Sequence, residues 1–162
     1  MKSVVQIGVV CALVLALVTA LLVTFVGNPF AAAPAGSLRP DDARLLALGE
    51  QVYVRNCATC HGAQLQGQPN WQQRDAQGLL PAPPHDATGH TWHHPDEVLI
   101  RITKYGVASS AGLKSYQSAM PIYDGVLSDE EIVAALSWIK AQWPPHIRAK
   151  HDGMNAAAAK QK

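Results

Sequence analysis

The sequence predicts an all-α domain of three main helices, preceded by one N-terminal transmembrane helix. Three observations carry this. Apolar residues recur at helical spacing in three separated stretches, and the segments between them are long and rich in glycine and proline. Residues 4–26 carry no charge at all. Hydrophobic residues make up 48% of the 162, but much of that figure sits in this first run, so the remainder has an ordinary soluble composition. The boundaries read as membrane anchor over 1–27, an Ala/Pro/Gly linker over 28–40, one domain over 41–143, and a flexible basic tail over 144–162.

Val4 to Val26 is 23 residues long. A helix of that length reaches about 35 Å, enough to cross a hydrocarbon core of about 30 Å. The competing reading is a cleaved signal peptide, since Ala33-Pro34-Ala35 resembles a processing site; secretory apolar cores are usually shorter, which favours a retained anchor. Lys2 lies on the near side and the next charge is Arg39, so the positive-inside rule leaves the N-terminus in the cytoplasm and exports the rest. Cys11 falls inside the span and reads as an inert thiol, because Gly8 and Val10 do not form a lipobox. The stretch Gly27 to Pro40, GNPFAAAPAGSLRP, has no periodicity and reads as a tether that lets the domain reorient.

Asp41 to Asn56 reads as the first helix. Pro40 suits its start, Asp41 and Asp42 complement the positive end of its dipole, and Leu46, Gly49 and Tyr53 fall on one face. A helical glycine costs about 1 kcal/mol against alanine, so Gly49 needs a packing reason, for which close contact with the last helix is expected.

At the end of this helix stands Cys57-Ala58-Thr59-Cys60-His61. The C-x-x-C-H spacing is the signature of covalent c-type haem attachment: both sulfurs reach the haem vinyl groups while the histidine turns onto the iron. A zinc site would need a second ligand pair, and Cys11 is the only other cysteine. A thioredoxin-like pair would need a βαβ context, which is absent from the pattern. Bacteria attach such a haem outside the inner membrane, in agreement with the exported orientation of the anchor.

Gly62 to Thr91 reads as loop, punctuated by four glycines, Pro69 and the cluster Pro81-Ala82-Pro83-Pro84. A loop this long is usually functional, and wrapping a haem edge is the obvious use. One proline carbonyl within it is expected to accept the His61 Nδ1 hydrogen and raise the ring's basicity, with Pro83 the first candidate. The loop also gathers four of the seven histidines, His85, His90, His93 and His94. One reading is a copper or zinc site. The other is that they bond haem propionates, cap the next helix or sit in solvent. Trp92 could donate its indole hydrogen to a propionate or cover the haem edge.

Pro95 to Tyr105 reads as the second helix, with Asp96 and Glu97 in its first turn, Val98, Leu99 and Ile102 as its buried stripe, and Gly106 as its stop. Val107 to Leu127 is irregular and carries Met120-Pro121. Met120 is the only methionine between the anchor and the tail, which makes it the candidate second axial ligand; the alternative is a gap-filling core residue. Thioether ligation favours reduced iron, so a positive midpoint is expected. Ser128 and Glu131 then form a capping box. The last helix presents Ile132, Ala135, Leu136, Ile139 and Trp143, and Pro144-Pro145 ends it. The residues beyond are basic and read as a frayed, solvated end, with partner docking as the alternative.

Charge excludes one class of partner. Residues 41–143 hold 11 acidic and 7 basic side chains, a net of −4, against +3 from Pro144 onward. An acidic domain argues against nucleic acid as a partner, since phosphate binding needs a basic face.

From Asp41 to Trp143 the chain resembles the small, membrane-anchored class I c-type cytochromes of bacteria. The helix ending in CATCHG, the late-loop Met-Pro and the C-terminal helix with its aromatic carry the resemblance. It implies one covalent haem c, and a crossing of the first and last helices where a glycine meets an aromatic, here Gly49 against Trp138. The long Gln68–His94 loop departs from the family pattern. The implied function is one-electron transfer, with no bond-making residue and hence no enzyme activity of its own. The partners would be a membrane dehydrogenase or oxidase complex, and the location the periplasmic face of an inner membrane. Rival readings are a small haem enzyme or gas sensor, which requires Met120 off the iron, a copper-handling protein, and a fixed subunit of a larger complex.

Overall fold

The first helix, α1, runs Ala43–Asn56 and begins where Asp42 can cap it, its carboxylate accepting the Leu45 amide at 3.1 Å. The structure is a computed structural model and describes residues 36–161. A short turn of helix, α2, follows over Ala58–His61, and a 3-10 turn over Thr91–His93 ends the long loop. Helix α3 spans Asp96–Tyr105 with Pro95 as its N-cap, and a single turn, α4, spans Val107–Ser110. Helix α5 covers Asp129–Ala141 under the expected Ser128/Glu131 capping box. Helix α6 covers Pro145–Ala159. No strand occurs among the described residues.

The core is the crossing of α1 and α5. On α1 the buried face is Leu45, Gly49, Val52 and Tyr53, one residue round from the stripe expected through Leu46, which is only partly buried. On α5 it includes Ile132, Ala134, Leu136 and Ile139, with Trp143 just beyond. Gly49 is the point of closest approach. A Cβ there would lie 2.1 Å from the Ala134 carbonyl oxygen and 2.9 Å from the Trp138 Cβ, so only glycine lets the backbones meet. The glycine-to-aromatic crossing expected from the resemblance is present. On α3 only Leu99 of the expected stripe is fully buried.

Two expectations at the domain's ends are corrected. In place of the frayed tail expected over 144–162, Pro145 opens α6, which runs to Ala159 and buries Ile147 and His151. Proline stops α5 and pre-sets the first turn of the next helix. His151 Nε2 donates to the His94 carbonyl at 3.0 Å, Asn155 exchanges two hydrogen bonds with Asp96, and Arg148 pairs with Asp41 at 2.8 Å. At the other end, the close of the 28–40 linker is docked. Leu38 is buried, its amide donating to Asp96 Oδ2 at 2.9 Å, and the Arg39 amide donates to Ser137 Oγ at 2.9 Å.

The expected anchor, 1–27, lies outside the described residues. Among those described, no helix is long and apolar enough to cross a membrane.

Candidate functional site

The C-x-x-C-H turn forms because α1 ends at Asn56 and the chain immediately re-enters helix. The Cys57 amide still donates to the Tyr53 carbonyl at 2.8 Å, and the His61 amide donates to the Cys57 carbonyl at 2.9 Å. This one turn brings Cys57, Cys60 and His61 together at the end of α1. Gly62, at φ +81°, then reverses the chain. Tyr53 buttresses the turn from below, its hydroxyl donating to the Gly62 carbonyl at 2.7 Å.

His61 is buried, and its Nδ1 donates to the Pro83 carbonyl at 2.8 Å. A carbonyl can only accept, so the tautomer is fixed and Nε2 keeps its lone pair for a metal. Burial lowers the His61 pKa, and the Pro83 bond pulls it partly back up. Cys60 is exposed and Cys57 partly so. Burial, then the neighbouring Cys60, push the Cys57 thiol up to about 11. A neutral imidazole with a free Nε2 beside two accessible thiols is a donor set that fits a covalently held haem.

Several residues support the site through contacts the sequence did not indicate. His85 stacks on His61 with centroids 3.9 Å apart, and its Nδ1 lies 2.8 Å from the Thr91 hydroxyl. The Trp143 indole donates to the His85 carbonyl at 2.7 Å, tying the loop to the end of α5. Leu65 is buried and adopts φ +65°, a conformation costly for leucine, and its carbonyl receives the His85 amide at 2.8 Å. A left-handed leucine leaves no mark in composition or periodicity.

Met120 sits in the loop before α5, partly buried against the core, with its amide donating to Ser118 Oγ at 3.1 Å.

Trp92 closes the end of the long loop. Its indole donates to the Ala87 carbonyl at 3.3 Å, and its ring stacks on His93 at 3.6 Å, with the Lys150 ammonium of α6 5.6 Å away. The copper reading finds no support in the arrangement of the histidines. His85 is committed to His61, His90 stacks on Trp71 at 5.4 Å, and His93 covers Trp92. Among the described residues, no three His, Cys, Asp or Glu side chains converge on a metal position. His85 is drawn away to His61, while His90 and His94 meet edge to face with centroids 5.4 Å apart.

A strandless helical domain, with a C-x-x-C-H turn closing its first helix, defines a class I c-type cytochrome, a protein of haem-based electron transfer with covalently attached haem c. Residues 44–139 match the family described as cytochrome C oxidase, cbb3-type, subunit III, and the chain belongs to that family. No curated protein and no solved structure matches the chain.

Proposed function

We propose that this chain is a one-electron carrier whose iron is held by His61 and Met120, with Cys57 and Cys60 bonding the porphyrin. Haem c, when bound, supplies an iron that cycles between ferrous and ferric states; the chain's own residues orient and shield it. Pro83 and His85 fix the plane of the His61 ring, and Tyr53 holds the attachment turn. Met120, on a segment stiffened by Pro121, supplies the thioether that closes the second axial position and favours the reduced state. The observation that carries this reading is the 2.8 Å bond from His61 Nδ1 to the Pro83 carbonyl, which leaves Nε2 of the attachment turn with its lone pair for iron.

The family's description names an oxidase, which supports a terminal oxidase complex as the electron acceptor, with the chain either shuttling to it or fixed within it. We further propose that residues 1–27 anchor the domain to the periplasmic face of a bacterial inner membrane. Resistance of the full chain to alkaline extraction from membranes tests the anchor.

The ligand assignment is tested on purified ferric holoprotein. Methionine-ligated ferric haem gives a weak far-red absorption band, expected here and lost in Met120→Leu, together with a positive midpoint in redox titration. A strongly negative midpoint with no such band in the unmodified protein would remove Met120 from the iron.

A further inference from the structure

The contacts behind His61 continue past His85 and leave the residues matched to the family. One short segment grips the imidazole twice. Its Nδ1 donates to the Pro83 carbonyl at 2.8 Å, and its ring lies on that of His85, centroids 3.9 Å apart and planes 23° off parallel. The path of residues 83–85 therefore sets the angle of the ring. That path is held from both sides. The Leu65 carbonyl receives the His85 amide at 2.8 Å, and the Trp143 indole donates to the His85 carbonyl at 2.7 Å. One backbone group of His85 is thus fixed by the loop, the other by the chain just past α5.

Trp143 is itself immobilised. It is buried, and its amide donates to the Lys140 carbonyl of α5 at 3.2 Å. The His151 ring of α6 meets its ring edge to face at 5.0 Å, and His151 is tied in turn to the His94 carbonyl at 3.0 Å. A phenylalanine would supply most of this packing. Only the indole adds an N–H, and an indole so deep needs an acceptor. The acceptor it has is the residue stacked on the attachment-turn histidine. Trp143 and α6 both lie beyond residue 139, where the family match stops.

We propose that Trp143 is a positioning residue of the haem site: its indole N–H fixes the His85 carbonyl, which holds the His85 ring flat against His61 and so sets the plane of the axial imidazole. This rests on His61 as an iron ligand, as proposed above, and is independent of Met120. Groups that orient a metal-bound histidine tune the metal without touching it, and such outer contacts are among the levers a protein has on a haem iron. Here the outermost of them is supplied by the end of the last core helix and braced by α6.

Electron paramagnetic resonance of ferric holoprotein tests this on the unmodified chain, Trp143→Phe and Ser128→Ala, with midpoints measured on the same samples. Trp143→Phe keeps a ring against His151 and removes the donor, so its low-spin signal broadens and its g-values and midpoint move. Ser128→Ala weakens α5 at its other end, away from these contacts, and both readings stay at the unmodified values. A Trp143→Phe signal and midpoint displaced no further than those of Ser128→Ala overturn the proposal. Should Trp143→Phe not mature, the Trp143 indole proton is followed by hydrogen exchange in unmodified holoprotein. Slow exchange is expected, and exchange at the rate of a free indole overturns the bond on which the proposal stands. The ligation reading fails by different signs: a missing far-red band in the unmodified protein removes Met120 alone, and missing paramagnetically shifted imidazole resonances remove His61.

Discussion

At the scale of single residues, the attachment turn is held by groups that never touch a metal. Tyr53 is fully buried and donates its hydroxyl to Gly62, and burial raises its pKa further, so it stays a donor across the working range. Tyr53→Phe removes that bond while keeping the ring, and a loss of about 1 kcal/mol is expected in denaturant titration. The attachment motif was legible because its chemistry is written in residue type and spacing. Pro83 was legible only as one of several prolines, since which carbonyl reaches Nδ1 depends on the path of a loop. For His85 two readings stood open, a metal cluster or a structural role, and the structure takes its ring away from the other three histidines and onto His61. Its ring stacks on His61 because Leu65, in its left-handed conformation, anchors the amides of His85 and Asp86.

At the scale of elements, the helices that face the core announced themselves and the one that straps it did not. α5 is buried along most of its length, and its capping box was visible as Ser128 and Glu131. α6 buries only Ile147 and His151 of its fifteen residues, too thin a stripe to register as periodicity. Its attachment is polar instead, through Asn155 to Asp96 and Asp152 to Lys140 at 2.6 Å, pairs invisible without the fold. The α1–α5 crossing gives a sharp prediction. Gly49→Ala places a methyl group against the Ala134 carbonyl, and a loss of about 1–3 kcal/mol is expected from chemical denaturation. Ser128→Ala removes the cap of α5, for which about 1 kcal/mol is expected by the same measurement.

At the scale of the whole molecule, α6 couples both ends of the domain, and pH acts on that coupling. His151 is fully buried, donating to the His94 carbonyl, with Asp96 and Asp152 of one sign and Lys140 of the other around it. Burial first, then Lys140, hold its pKa below 6.5 against the opposing pull of Asp96, the His94 carbonyl and Asp152. A base whose folded pKa is depressed binds more protons when unfolded, so its contribution is intact above about pH 6.5 and is lost as pH falls through the folded value. Thermal stability should decline from pH 7 to pH 5, with a shallower slope in His151→Gln; equal slopes would remove His151 as a source. Ending the chain after Trp143 strips the cover from Ile147's site and leaves the buried Lys140 ammonium without Asp152. A loss of about 3 kcal/mol is expected in thermal melts of the haem-loaded protein.

The α1–α5 crossing also orders events during biosynthesis. α1 emerges early from the ribosome, yet the surface it must cover is supplied by a helix encoded near the other end of the domain. Contacts so distant along the chain close late, after the entropy of the intervening segment has been overcome. Until they close, the face of α1 made by Leu45, Gly49, Val52 and Tyr53 has no partner, and the Cys57–Cys60 turn stands at the end of a helix without its core.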